Sequence, residues 1–242
     1  MKRPILPAAM AALAIPALAS SVAYATDAAH TPRIIVTGQG DASVSPDMAI
    51  LQLGVAQQSA TAREALDAAN KSMADIIAEM KKEGVADRDL QTSNFSVNPV
   101  YSYPKPDQPQ EAPKVVGYQV NNTLTVRVRD LAKVGQVLDK SVTLGVNQGG
   151  NITFTNDDPS ATVTLARTRA VQDAMSKAKT LAEAAGVSLG KVLEISEQTY
   201  APQPMPMAMQ AREKFDSAVP IQSGENSYQV QVNVTFELGQ AQ

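Results

Sequence analysis

Five alanines at strict four-residue spacing, Ala166, Ala170, Ala174, Ala178 and Ala182, constrain the fold of this chain more than any other feature. Every fourth residue of an α-helix returns to nearly the same face, so these methyls form one narrow seam. That seam allows another helix or a sheet to approach closely. Asp158-Pro159 predicts the helix start, with the carboxylate as a cap and proline where no amide is needed, and Gly186 predicts its end.

The rest of the chain alternates between periods of two and 3.6. Ile34 to Thr37 reads as a short strand, and Met48 to Gln57 as a longer one with Ala49, Leu51, Leu53 and Val55 on one face. Between them lies Gly38-Gln39-Gly40. A phosphate loop works because its glycines open a helix whose amides face the anion. Here another strand follows, with no third glycine and no Gly-Lys-Ser/Thr, so Gly38 and Gly40 are read as turning the chain. Ser45-Pro46-Asp47 marks a strand edge or bulge. Thr61 and Glu64 have capping-box spacing, and Leu66, Ala69, Met73, Ile76, Ile77 and Met80 then follow helical periodicity up to Gly84.

Leu90 to Tyr103 is extended, with Phe95, Val97, Tyr101 and Tyr103 on one parity, and a proline-rich loop follows at 104–113. The strand after it places Leu124, Val126 and Val128 inward and Thr125, Arg127 and Arg129 outward, on a solvated or inter-subunit face. A helix over Leu131 to Leu144, strands at Asn151 to Thr155 and Lys191 to Glu197, a second proline-rich loop at 201–210 and an unbroken alternation from Tyr228 to Leu238 complete the chain. About seven long strands and three helices predict an α+β fold, with a largely antiparallel sheet and helices on one face. The pattern fits a single domain over 33–240. A strand-helix-strand-strand order before Asp130 recurs loosely after it, a weak internal duplication.

Residues 1–25 read as a secretory signal: Lys2 and Arg3, a short apolar stretch broken by Pro7 and Pro16, then Ala23-Tyr24-Ala25. Residues 26–32 precede every periodic element and are expected to be disordered. No cysteine follows to carry a lipid, so a soluble periplasmic protein is expected, with no transmembrane segment and at most a loose envelope association. Losing Lys2 and Arg3 takes the formal net charge from −3 to about −5, which disfavours a nucleic-acid partner.

Chemistry-bearing residues are few. The one histidine, His30, lies outside every periodic element, and there is no cysteine, so histidine catalysis, thiol chemistry and tetrahedral zinc are not expected. Asp157 and Asp158 read as a helix start rather than an acid/base pair, and Asp87 and Asp89 as a solvated turn. A Ser45 nucleophile beside Asp47 would lack a base. No catalytic residue and no cofactor are therefore expected. Tyr101, Tyr103 and Tyr118 flank the first proline loop, where they can pin it or meet a partner; with Arg127 and Arg129 they are the interface candidates. Met205, Met207 and Met209 are three thioethers able to chelate Cu(I), although an adaptable apolar contact or a plain loop is the simpler reading.

"VTGQGDASVSPDMAILQLGV", "LQTSNFSVNPVYSY", "VVGYQVNNTLTVRVRDLAKVGQVLDKSVTLGVNQ" and "ARTRAVQDAMSKAKTLAEAAGVSLGKVLEISE" resemble, in order and spacing, the blocks of the SIMPL-domain family of exported bacterial proteins. Within it they are similar to the periplasmic immunogenic subgroup of alpha-proteobacteria. The resemblance implies an α+β domain in the periplasm or outer-envelope fraction, self-association, an association with stress tolerance, and no catalytic residues to carry over. A non-enzymatic homo-oligomer is expected, ring-like where a head-to-tail edge contact closes on itself. A periplasmic binding module, for Cu(I) or unfolded clients, is the alternative.

Overall fold

The alanine seam is buried against a strand that has no side chains at the crossing. In the computed structural model, which describes residues 31–103, 112–197, 205–207 and 221–240, β1 (Arg33–Val44) runs unbroken through Gly38 and Gly40. A Cβ on Gly38 would sit 2.0 Å from the Ala170 carbonyl oxygen, and one on Gly40 2.2 Å from that of Ala166. The glycines therefore do not turn the chain as expected. They let a helix backbone come down onto a strand. The signal segment, His30, Met209 and most of both proline-rich loops lie outside the described residues.

The turn comes later, at Ser45-Pro46-Asp47, and it moves the chain from one sheet to another. β2 (Met48–Ser59) is followed by α1 (Ala62–Lys82), β3 (Leu90–Ser102), β4 (Lys114–Val128), α2 (Val134–Thr143) and β5 (Gln148–Thr155). The strands form an antiparallel sheet in the order β3-β4-β2-β5. Then come α3 (Ser160–Ala184), β6 (Ser188–Glu197), β7 (Met205–Met207) and β8 (Glu225–Gly239). With β1 they form a second antiparallel sheet in the order β1-β8-β6, and β7 pairs with the start of β8. The expected single sheet is thus two, each with its helices on one face. Alternation fixes which face of a strand is buried, but not which strand it pairs with.

Each sheet has its own core. Leu51, Leu53, Leu124 and Val126 pack with Ile76 and Met80 of α1 and with Val134 and Val137 of α2. Val230, Val232, Val234 and Phe236 pack with the alanine seam of α3. Local signals set the helices. The Thr61–Glu64 capping box is present, Gly84 leaves α1 at φ +92°, and Lys140 of α2 binds both Glu79 (2.9 Å) and Glu83 of α1. Hydrogen bonds from Lys140 and then Lys82 hold the Glu79 carboxyl below its usual range.

The loose duplication has a topological counterpart. β2-α1-β3-β4 builds a sheet in which the last strand lies between the first and the second. β1, α3, β6 and β8 repeat that arrangement, although β1 is separated from α3 by the whole of the first unit. β5, the strand directly before α3, is paired with β2 in the other sheet.

Candidate functional site

The two edges of the β1-β8-β6 sheet are finished differently. In an antiparallel ladder alternate residues point their amide and carbonyl away from the partner, and on β1 those groups meet α3. Gln39 donates its amide to Asp173 Oδ2 at 2.8 Å. The Thr37 carbonyl accepts from Lys177 Nζ at 3.1 Å, and the Asp41 carbonyl from Arg169 Nη1 at 2.5 Å. Lys177 also pairs with Asp173 at 2.6 Å, and this hydrogen bond, then the Gln39 amide, lowers the Asp173 carboxyl pKa. Charged side chains from a covering helix close β1 against further pairing.

Among the described residues β6 has no such cover. All of Ser188–Glu197 except Leu189 is exposed, including Val192, Leu193 and Ile195, the last at 55%. Its ladder with β8 is irregular on both sides of Val192. Arg167 of α3 grips Glu197 through two bonds of 2.6 and 3.0 Å, and Lys191 lies 3.7 Å from Glu237. Among the described residues no strand pairs with its outer edge.

β3 is the corresponding edge of the other sheet. Pairing of β2 with β4 ends at Ser59 and Tyr118, while β3 and β4 stay paired beyond it to Ser102 and Lys114. The result is a two-stranded arm projecting past the sheet. Tyr101, Val115 and Val116 are exposed on it, as is Tyr103, at 72%, just beyond β3. Tyr118, at its base, is half-buried. The apolar parity of β3 is exposed along its length: Phe95 and Val97 are exposed as well.

Arg129 has partners within the chain. Its Nε and Nη2 donate to the two oxygens of Asp89, both at 3.1 Å, and Nη1 donates to Asp157 at 2.5 Å. Asp89 is therefore not the solvated turn residue expected; at 4% exposure it anchors a bidentate pair. Hydrogen bonding to Arg129 lowers the Asp157 pKa. Arg127 lines a cleft of about 310 Å³ beside this pair, with Arg88 and Lys133 but also Glu83 and Asp130. Asp158 Oδ1 accepts the Ser160 amide at 3.0 Å, although the N-cap position of α3 falls to Pro159, one residue beyond the one expected.

A buried polar junction joins the two sheets. Asn156 donates to the Ser45 carbonyl at 2.8 Å, while its Oδ1 accepts from Asn226 Nδ2 (3.2 Å) and the Tyr228 hydroxyl (3.1 Å). Burial raises the Tyr228 pKa. Tyr228→Phe removes one donor and leaves Asn226 on the same oxygen. It is expected to cost about 1 kcal/mol, a Tm lower by about 2–4 °C, readable by thermal unfolding.

Met205 and Met207 belong to β7, paired opposite Ser227 and Glu225, so three residues of the predicted second loop are in a strand. Met209 lies outside the described residues. Among those described, no group of three or more His, Cys, Asp or Glu side chains could hold a metal ion, and no helix is long and apolar enough to cross a membrane.

The architecture is two βαββ units, and the chain belongs to the SIMPL family, a protein family of unknown function (DUF541), whose model matches residues 34–236. It is similar to the 26 kDa periplasmic immunogenic protein of Brucella melitensis, 52% identical over 232 residues covering 94% of this chain and 92% of the relative. The protein of the same name from Brucella abortus matches to the same extent. The uncharacterized protein YggE of Escherichia coli K12 is 26% identical over 238 residues, 95% of this chain and 92% of the relative.

Proposed function

We propose that this is an exported periplasmic protein without catalytic activity that works by assembling with copies of itself, in support of envelope or oxidative stress tolerance. Relatives at 52% identity are named periplasmic and immunogenic, which supports the compartment and antigenicity in a host. The observation that carries self-assembly is the contrast between edges. α3 closes β1 with Asp173, Lys177 and Arg169, whereas β6 exposes Val192, Leu193 and Ile195 along an edge that no described strand pairs with. An exposed apolar edge strand is a template for another chain.

The test is the native mass of the mature protein by light scattering over a range of concentration and salt. A discrete, concentration-independent multimer is expected, and Leu193→Glu with Ile195→Glu is expected to reduce it to the monomer, because charges on an edge strand block pairing. A wild-type monomer sinks the reading.

A further inference from the structure

We propose that the bare β6 edge of one copy receives β3 and its projecting arm from a second copy, so that the assembly grows head to tail. This rests on the self-assembly reading and names the surfaces that would carry it.

Of the four outer strands among the described residues, β1 is sealed by α3, and β5 is the shortest, at 8 residues, two of them Gly149 and Gly150 at φ +85°. β3 and β6 remain, at 13 and 10 residues. Each is the second strand of its βαββ unit and lies outside the last strand, so joining them sets two like sheets edge to edge. Because both edges belong to one chain, such a contact is heterologous: each copy keeps a free β3 and a free β6 for its neighbours.

Charge and area favour this occupant. β3 contains no Asp, Glu, Lys or Arg, and the described part of the arm adds only Lys114. On β6, Lys191, Glu194 and Glu197 are all exposed, the first and last also paired within the chain, and β3 brings no charge to repel any of them. A ten-residue ladder spans only about 33 Å and by itself falls short of the ~800 Å² per partner of a stable interface. Tyr101 and Tyr103 supply the difference, at about 150–250 Å² for each buried aromatic, with Val115 and Val116 beside them.

The chain has no cysteine, which makes cross-linking clean. Val97→Cys, midway along β3, and Leu193→Cys, midway along β6, are prepared as separate full-length proteins, mixed, and treated with a short bis-maleimide that tolerates a small register offset. Dimers joining the two variants are expected, with none when Ile35→Cys, on the sealed β1 strand, replaces Leu193→Cys. Light scattering is run on the same samples. A multimer in which Val97→Cys does not join Leu193→Cys, or in which Leu193→Cys joins only itself, overturns this pairing and leaves self-assembly standing. A monomer overturns both.

Discussion

Gly40→Val is expected to destabilise the protein by about 3 kcal/mol or more, lowering Tm by roughly 6–12 °C. A Cβ at Gly40 would lie 2.2 Å from the Ala166 carbonyl oxygen and 2.3 Å from the Ala170 amide nitrogen. Both are backbone atoms of α3, so no rotamer change relieves the contact. The helix must lift, and lifting it loosens the packing of Ala166, Ala170, Ala174 and Ala178 on Val230, Val232 and Val234. It also pulls Asp173, Lys177 and Arg169 away from the backbone of β1. Gln39→Val is the control. It introduces the same side chain one residue away, on an exposed position, and is expected to stay within about 0.5 kcal/mol of the wild type. Equal melting of Gly40→Val and wild type would mean that α3 does not approach β1 this closely.

Features set by neighbours in sequence were legible from the residues alone. The Thr61–Glu64 box and the Gly84 stop need only a few residues of context, and the alternation of β8 places Tyr228, Val230, Val232, Val234 and Phe236 inside as it predicts. What was missed depends on partners far along the chain. Gly38 and Gly40 carry the same local signal whether they form a turn or a close crossing, and only the alanine seam across from them distinguishes the two. The seam was visible, and so were the glycines, but nothing local says that they meet. Asp89 reads as a turn residue until Arg129 is placed beside it, and Arg129 reads as outward because alternation says nothing about what stands at the end of a strand. The division into two sheets rests on Ser45-Pro46-Asp47, three residues that suit a bulge or an edge as well as a corner. For the candidate interface, Tyr101 and Tyr103 stood out as aromatics beside a proline loop. β6 did not, because its Val192, Leu193 and Ile195 look like any strand's core residues until the neighbouring helix is seen to cover β1 and β8 instead.

Phe236→Ala is expected to remove about 3–5 kcal/mol and to do so from one half of the molecule first. Phe236 is almost fully buried and lies in the cluster built on α3 and β8, opposite Ile34 of β1 and Val192 of β6. The other large cluster, on β2, β4, α1 and α2, shares no residue with it. What crosses between the halves is mainly polar: Asn156 with Ser45, Asn226 and Tyr228, and Asp47 with Asp157, together with Ile221 against the β2–β4 core. Separate cores open as separate cooperative units when the coupling between them is weaker than either. Hydrogen exchange on the variant is therefore expected to speed up in peptides from 33–44 and 225–239 while those from 48–59 and 118–128 keep their protection. Loss of protection in both sets together would mean that the Asn156 junction welds the halves into one unit, and Tyr228→Phe in the same background would then be expected to separate them.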